Sequence, residues 1–233
     1  AKFNEECRSI VMRYSEEWKK TVNRMGRWVD FDQTYMTMNP TFMETVWWIF
    51  GELWKKGLIY EGYKVMPFSA QLGTPLSNFE ANLNYQEVDD PSITVQFPLV
   101  DEPDVSFLVW TTTPWTLPSN LALMVGAKLD YVKVKKEGKF YILGKKRAET
   151  YFKEDFEVVE TFKGKKLLGK RYQPMFDYFV SQASPNSFTV ISEESVGEEE
   201  GTGIVHSAPA FGEVDFFACK NAEIEIVCPV DQN

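Results

Sequence analysis

The spacing of apolar residues predicts an amphipathic helix at the start of the chain. Between Phe3 and Arg24, apolar side chains recur with the 3.6-residue period of a single helix face. Gly26 follows this stripe, as glycine often does where a helix ends. We therefore predict one long helix that buries one face.

A second helix is predicted between Asn39 and Gly57. Pro40 suits an early helical position, and Thr41 and Glu44 have the spacing of a capping box. We expect the two helices to pack as a hairpin over residues 1–66. The tryptophans of the second helix are expected in the core in preference to a ligand site.

The amino-acid composition changes after the second predicted helix. Pro, Gly, Ser and Asn punctuate residues 67–92, which we interpret as a linker. Short β-rich runs then follow, with Lys136-Glu137-Gly138 as a hairpin turn. Phe211–Ala222 is predicted as a short helix. The predicted strands are Ile93–Leu99, Val105–Thr111, Leu121–Val125, Tyr131–Lys135, Lys139–Leu143, Phe156–Thr161, Tyr178–Ser181, Phe188–Ile191 and Gly203–His206.

Many short strands at close spacing are typical of a barrel or a sandwich and differ from the pattern of a Rossmann sheet. The predicted fold class is α+β, with a β-barrel over residues 93–233 that is decorated by helices and preceded by the helical hairpin.

Composition excludes several classes of protein. Hydrophobic residues make up 44% and charged residues 25%, so the chain has the material for a core and is not disordered. The longest apolar runs, such as Val46–Phe50, are far too short to span a bilayer, and no basic-then-apolar leader opens the sequence. We expect a cytoplasmic protein with no membrane partner. Ala1 is not a natural start, and we interpret the chain as an excised fragment.

Cysteine and histidine usage argues against a metal site. The chain has three cysteines, none in a CxxC pair, and a single histidine, His206. Zinc sites are built from four such ligands at characteristic spacings, so we expect no metal and no disulfide framework. No GxGxxG motif and no P-loop occurs in the sequence, and no cofactor is expected.

Charge is unevenly distributed along the chain. The net charge is -9, which argues against a broad nucleic-acid coat. Residues 133–171 nevertheless carry 13 basic and 6 acidic side chains, a local balance of +7. Two interpretations stay open for this basic segment: a solvated pair of lysine-rich hairpins, or a local patch that contacts phosphates.

Two segments carry candidate chemistry. The first, residues 110–120, holds four threonines, two tryptophans and two prolines directly after a predicted strand. Threonine hydroxyls can hold a water or a ribose. They can equally bond their own backbone as ordinary turn residues, and that alternative remains open.

The second segment, residues 201–215, brings His206 to the end of a predicted strand. A turn of small residues then leads to Glu213 and Asp215, where a carboxylate could bind an amine or orient a water. A serine hydrolase is disfavoured, because adjacent strand residues such as His206 and Ser207 point to opposite faces and no GxSxG motif occurs.

Together these segments resemble the editing insertion of cytosolic-type isoleucyl-tRNA synthetases. Trp110–Pro118 is similar to the threonine-rich motif of that family, and Gly201–Pro209 with Gly212–Asp215 is similar to its second editing motif. The runs Met25–Asp32 and Gly73–Glu80 also resemble the family. Valyl and leucyl relatives have arginine where this chain has Thr113, which favours the isoleucyl branch.

The resemblance implies a role for each matching residue. Asp215 would anchor the α-ammonium group of the substrate, and Thr111, Thr112 and Thr113 would line the site of the attacking water and the ribose. His206 would sense the amino-acid side chain. The remaining residues assigned to substrate binding on this resemblance are Trp110, Asn120 and Ala208.

The implied function is hydrolysis of the ester of valyl-tRNA(Ile). Its partners would be the 3′ end of tRNA(Ile) carrying a wrong amino acid and the remainder of the synthetase chain. The HIGH and KMSKS signatures of aminoacylation are absent from the sequence, so ATP-dependent activation of isoleucine would belong to that remainder. Two alternatives stay open. One is a catalytically silent module that binds the 3′ end of the tRNA, and the other is an editing domain of the valyl branch that removes threonine from the valine tRNA.

Overall fold

The computed structural model describes residues 2–154 and 156–231, which divide into two compact units between Gly62 and Tyr63. The first unit holds helix α1 (Lys2–Arg24) and helix α2 (Pro40–Lys55). Both predicted stops are confirmed: Gly26 and Gly57 lie just past the helices with φ of 73° and 66°, a conformation that glycine adopts without strain.

The start and the packing of α2 differ from prediction. Asn39 is the N-cap and Pro40 the first helical residue, so no capping box forms at Thr41. Trp47 and Trp48 are 72% and 65% exposed, and neither helix has a buried residue. The expectation that these tryptophans are core is therefore wrong for the described part of the chain. Within residues 2–62 the two helices also do not pack closely along each other.

The second unit begins with short elements inside the predicted linker. Strands β1 (Phe68–Ser69) and β2 (Thr74–Pro75) pair antiparallel, and helix α3 (Asn78–Ala81) follows. A capping box does form here: the Ser77 hydroxyl accepts from the backbone N–H of Glu80, whose carboxylate accepts from the backbone N–H of Ser77.

An eight-stranded sheet makes up most of the second unit. Its order is β8-β6-β7-β4-β10-β5-β9, and β3 pairs with the other side of β4. The two-residue turn Glu137–Gly138, with both φ values positive, joins β6 to β7 as predicted. The strands are β3 (Ile93–Pro98), β4 (Val105–Thr111), β5 (Ala122–Val125), β6 (Asp130–Lys136), β7 (Lys139–Gly144), β8 (Glu157–Lys163), β9 (Thr189–Ser192) and β10 (Ile204–Ser207).

Two outer strands of the curled sheet, β3 and β9, are linked through one short segment. Arg171 bridges to Thr189 on β9, and Tyr172 bridges to Leu99, just past β3. Backbone N–H groups of Val100 and Gln173 donate across the same seam. The predicted α+β class is confirmed, with helices α4 (Ala148–Phe152) and α5 (Glu213–Asn221) beside the curled sheet.

One predicted strand is wrong, and the pairing of Arg171 and Tyr172 with the sheet was not predicted. Tyr178–Ser181 forms turns, with the N–H of Val180 donating to the carbonyl of Asp177. The main hydrophobic core lies on the inside of the curled sheet. Its largest fully buried members are Phe97, Phe107, Tyr131, Tyr172, Leu99, Leu123 and Leu167.

Candidate functional site

Strands β4 and β10 lie side by side and run in the same direction, with Val205 paired to Trp110. Because they share a direction, the chain leaves both strands at one edge of the sheet. The threonine-rich loop after β4 therefore meets the segment after β10. The two motifs, about ninety residues apart in sequence, come into direct contact where the Thr116 hydroxyl meets His206.

A cavity of about 350 Å³ lies between the two segments. A second cavity of about 530 Å³ adjoins it and shares Trp110, Val205 and Asp215 in its wall. The smaller cavity is lined by seven of the predicted site residues: Trp110, Thr111, Thr112, Thr113, His206, Ala208 and Asp215. It is also lined by five residues that were not predicted as site residues: Trp115, Thr116, Val205, Phe211 and Gly212.

Hydroxyl groups of the threonine loop are linked in a chain. Thr111 Oγ1 accepts from the backbone N–H of Thr113 at 3.0 Å. Thr113 Oγ1 lies 3.3 Å from Thr111 Oγ1 and 3.3 Å from Thr116 Oγ1. Thr112 is exposed, and its hydroxyl has no hydrogen bond to any residue that the structure describes. Thr111 thus shapes the loop, and Thr112 has a hydroxyl available to a ligand or a water.

The imidazole of His206 is held at the wall of the cavity. Its side chain is 7% exposed, and Nε2 lies 2.8 Å from Thr116 Oγ1. Burial lowers the pKa of His206 to about 4, because the charged ring would lose its hydration. Nδ1 is buried and has no hydrogen-bond partner among the described residues. The ring is therefore neutral at physiological pH.

Asp215 lies in the first turn of α5, where Gly212 is the N-cap. Its Oδ1 accepts from the backbone N–H of Ala208 at 3.1 Å. Burial nevertheless raises the pKa of this carboxyl, because the loss of hydration outweighs the hydrogen bonds from Ala208 and Ser207 that favour the ionised form. A Cβ at Gly212 would lie 2.0 Å from Oδ2, so glycine leaves the space that the carboxylate occupies.

Asn120 lies outside the lining of the cavity. Its Nδ2 donates to the carbonyl of Ala122 at 2.9 Å, and its Oδ1 accepts from the hydroxyl of Tyr172 at 2.6 Å. Both bonds are buried, and they fix the backbone where β5 begins. Asn120, predicted to bind substrate, thus lies beside the cavity lining, hydrogen-bonded to Ala122 and Tyr172.

Ser207 does not form a serine-hydrolase arrangement with His206. Its side chain is fully buried, and its hydroxyl lies 3.3 Å from Cys219 Sγ on α5. Burial raises the pKa of the Cys219 thiol to about 11, so that thiol stays protonated. Adjacent strand residues do point to opposite faces here, as the sequence analysis expected.

Acidic neighbours pair with five of the thirteen basic side chains in segment 133–171. Lys133 pairs with Glu102 at 2.7 Å, Lys146 with Glu198 at 2.6 Å, and Lys163 with Asp130 at 2.9 Å. Lys166 and Lys170 also pair with carboxylates. The hairpin between β6 and β7 has a cluster of basic side chains outside these ion pairs. Its Lys135, Lys136 and Lys139 have no carboxylate partner within the described residues.

Two absences hold for residues 2–154 and 156–231. Nowhere in them do three or more His, Cys, Asp or Glu side chains come together as a metal ion would require. Of the helices in these ranges, none combines the length and the apolar character needed to cross a bilayer.

The sequence is similar to that of known isoleucine–tRNA ligases. It is 60% identical over 237 residues to the enzyme of Protochlamydia amoebophila, covering the whole of this chain and 23% of that protein. It is 52% identical over 240 residues to the cytoplasmic enzyme of Mus musculus, covering 99% of this chain and 19% of that protein. The chain thus spans about a fifth to a quarter of the length of these relatives.

The solved structures that match this chain include two from leucyl enzymes. The crystal structure of GlLeuRS-CP1 has a TM-score of 0.48 and 16% identity, covering 56% of this chain and 60% of that one. The cytosolic leucyl-tRNA synthetase editing domain of P. falciparum has a TM-score of 0.42 and 12% identity, covering 50% of this chain and 46% of that one.

A family model described as tRNA synthetases class I (I, L, M and V) matches residues 1–199, which is most of the chain. The segment that carries His206 and Asp215 follows that match and is covered by the isoleucine–tRNA ligases above. On the family match, the chain belongs to the class I tRNA synthetases of the isoleucyl, leucyl, methionyl and valyl group.

Proposed function

We propose that this chain hydrolyses the ester bond of a mischarged aminoacyl-tRNA, valyl-tRNA(Ile). The observation that carries the proposal is the convergence of the threonine loop, His206 and Asp215 on one cavity of about 350 Å³. Membership of a synthetase family, with relatives named isoleucine–tRNA ligase, supports tRNA as the partner. Charging with ATP is assigned to the remainder of the synthetase chain.

The need for such an activity follows from the chemistry of discrimination. Valine is isoleucine without one methylene, and a hydrophobic pocket gains only about 1–3 kcal/mol from that group, a limit for which isoleucyl enzymes are the standard example. A second site that admits valine and excludes the longer side chain removes the wrong product after it forms. A small cavity with a rigid wall suits that task.

Three residues of the cavity have a part in the proposed reaction. Asp215 holds the α-ammonium group by a charge-assisted hydrogen bond. The ammonium group is then the cationic partner of this half-buried carboxylate. The hydroxyls of Thr112 and Thr113 hold the attacking water. Water oxygen bonds to the ester carbon and gives up a proton, the bond from that carbon to the ribose oxygen breaks, and the ribose oxygen takes up the proton that the water released. Valine and uncharged tRNA leave.

The adjoining cavity accounts for the rest of the substrate. An aminoacyl ester joins a small side chain to a nucleoside, and the two cavities of about 350 and 530 Å³ meet at Trp110, Val205 and Asp215. We place the valine in the smaller cavity and the terminal nucleoside in the larger one. The ester bond then lies near the shared wall, beside the threonine loop.

Deacylation assays on three substrates test the proposal. Valyl-tRNA(Ile), isoleucyl-tRNA(Ile) and threonyl-tRNA(Val) are incubated with this 233-residue chain, and the remaining ester is measured over time. We expect hydrolysis of the valyl ester alone. Binding without hydrolysis would favour the silent tRNA-binding module, and preferential hydrolysis of the threonyl ester would favour the valyl branch. Either result overturns the proposal.

A further inference from the structure

We propose that Thr116 is a positioning residue that fixes the tautomer and the orientation of His206. The imidazole then serves as a wall of the cavity and takes no part in proton transfer. This inference rests on the proposed function where it concerns selectivity, and on the hydrogen-bond geometry alone where it concerns the tautomer. Thr116 and His206 are both buried, and Thr116 Oγ1 lies 2.8 Å from Nε2.

The position of each proton follows from the partners of Thr116. Its hydroxyl lies 2.8 Å from the carbonyl oxygen of Thr113, which can only accept a hydrogen bond. The single hydroxyl proton of Thr116 is therefore donated to that carbonyl. Thr116 Oγ1 is left to accept, and Nε2 of His206 at 2.8 Å is nearer to it than Thr113 Oγ1 at 3.3 Å. Nε2 of His206 therefore carries the ring proton.

The other neutral tautomer fails on two separate counts. With the proton on Nδ1, Thr116 would have to donate to Nε2, and two oxygen acceptors would then face each other at 2.8 Å. In addition, Nδ1 is buried without a partner among the described residues, so its N–H would be an unsatisfied buried donor. Orphaned buried donors are rare because their lost hydration is not replaced.

The consequence is that neither ring nitrogen of His206 serves the cavity. Nε2 is committed to Thr116, and Nδ1 is enclosed by protein. His206 still lines the cavity, so its carbon atoms form that part of the wall. A wall fixed by a hydrogen bond holds its position better than a freely rotating ring, and that rigidity limits the length of the side chain that enters.

Two substitutions at Thr116 separate positioning from direct steric contact. Thr116→Val keeps the size and branching of the side chain but removes the acceptor for Nε2–H. Thr116→Ser keeps the hydroxyl and removes the methyl group. Thr161→Val, on the exposed face of β8, controls for a general effect of the Thr to Val change.

The first readout is the ratio of the rates at which valyl-tRNA(Ile) and isoleucyl-tRNA(Ile) are deacylated. We expect roughly a tenfold fall in this ratio for Thr116→Val, corresponding to one lost hydrogen bond of ordinary strength. Thr116→Ser restores the ratio, and Thr161→Val leaves it unchanged. The reverse pattern, with the ratio altered by serine and kept by valine, means that Thr116 acts by its methyl group and overturns the proposal.

The second readout does not depend on activity. His206 is the sole histidine, so selective ¹⁵N-histidine labelling of the chain, purified without a histidine tag, gives one imidazole spectrum. At neutral pH we expect a protonated Nε2 and a bare Nδ1 in the wild-type chain and in Thr116→Ser. In Thr116→Val, the Nε2 proton should exchange faster with solvent because it has lost its acceptor.

A wild-type spectrum with the proton on Nδ1 overturns the proposal, even if the valine variant does not fold. If no ester is hydrolysed by any variant, the proposed function fails, while the spectrum still decides the pairing of Thr116 with His206. The two failures are thus distinguishable.

Discussion

The backbone N–H of Ala208 donates to Oδ1 of Asp215 over 3.1 Å, across the turn that joins β10 to α5. Burial raises the pKa of Asp215, and its hydrogen bonds from Ala208 and Ser207 offset that rise only in part. Within the part of the chain that the structure describes, no cationic side chain forms an ion pair with this carboxylate, which is the state expected of a site that receives an ammonium group.

Replacement of Asp215 by asparagine should separate activity from stability. Asp215→Asn keeps an acceptor for the N–H of Ala208 but removes the charge, so we expect valyl ester hydrolysis to fall at least about tenfold. The folded protein binds a proton at Asp215 more readily than the unfolded chain. The ionised carboxylate therefore destabilises the folded wild-type protein at pH values above its raised pKa. This destabilisation disappears as the pH falls to the pKa that Asp215 has in the unfolded chain.

The stability of Asp215→Asn should thus equal or exceed that of the wild type at pH 7, and the difference should shrink at pH 4. Thermal unfolding at both pH values measures this, with the exposed Asp177→Asn as the matched control. A folded Asp215→Asn chain with wild-type deacylation contradicts the assigned role.

Gly212 offers a second test of the same carboxylate without changing any charge. In Gly212→Ala, the new Cβ would lie 2.0 Å from Oδ2, so the carboxylate must move away. We expect the valyl ester rate to fall at least about fivefold, the effect of one misplaced hydrogen bond, with the fold retained. Gly51→Ala is the control, because Gly51 lines neither cavity and no atom lies within 4 Å of the position of its Cβ. Equal rates for both variants would show that the position of Oδ2 does not matter.

His206→Ala should change selectivity more than rate. If the imidazole is a wall, its removal opens the cavity, so hydrolysis of the valyl ester persists and hydrolysis of the isoleucyl ester appears. A general base predicts the opposite, a loss of about 10²–10⁴-fold on both esters. Deacylation of the two esters by this one variant distinguishes the roles. A collapsed valyl rate with a resistant isoleucyl ester would make His206 catalytic.

Titration of His206 should reveal its burial. Its pKa of about 4 lies below the ordinary value of 6.5 because burial disfavours the charged ring. The unfolded chain therefore binds a proton between these two values and the folded chain does not. The stability that the neutral ring contributes is complete above pH 6.5 and is lost as the pH falls towards 4.

An NMR titration of the single imidazole measures the midpoint directly. The free energy of unfolding of the wild type minus that of His206→Asn should rise between pH 4 and pH 6.5. The comparison is made in the Asp215→Asn background, because the shift of Asp215 acts in the opposite direction over part of this range. A midpoint near 6.5 would mean that the ring is hydrated.

The unpaired lysines of the β6–β7 hairpin allow a test of phosphate contact. Replacing Lys135, Lys136 and Lys139 by glutamine should weaken tRNA binding and flatten its dependence on salt, if these groups release counterions from the tRNA. The control is the same change at Lys146, Lys163 and Lys166, which pair with carboxylates of the protein.

Hydrolysis of a short valyl-adenosine ester should be unaffected by the hairpin change, because that substrate has few phosphates. Equal losses on the long and short substrates would instead assign the hairpin to the support of the fold.

Local pattern alone predicted many of the elements. The bounds of β4 match the prediction, and the ends of α1 and α2 lie at the glycines expected to stop them. These features depend on neighbours in sequence, such as the alternation of side chains along a strand or the positive φ that glycine tolerates. Tyr178–Ser181 was mistaken for a strand because β propensity reflects packing that a local window does not contain.

The candidate site was predictable only in part. The sequence determined which segments carry the chemistry: the hydroxyl-rich loop at Thr111–Thr113, the sole histidine and Asp215 all line the cavity. Tertiary structure decided their partners. Parallel pairing of β4 and β10 brings Thr116 to His206 across 90 positions, and the turn before α5 places Gly212 against Asp215. Asn120 lies outside the cavity lining, where its side chain accepts a hydrogen bond from Tyr172. Such roles depend on contacts between distant segments, which the pairing of strands creates and no local pattern encodes.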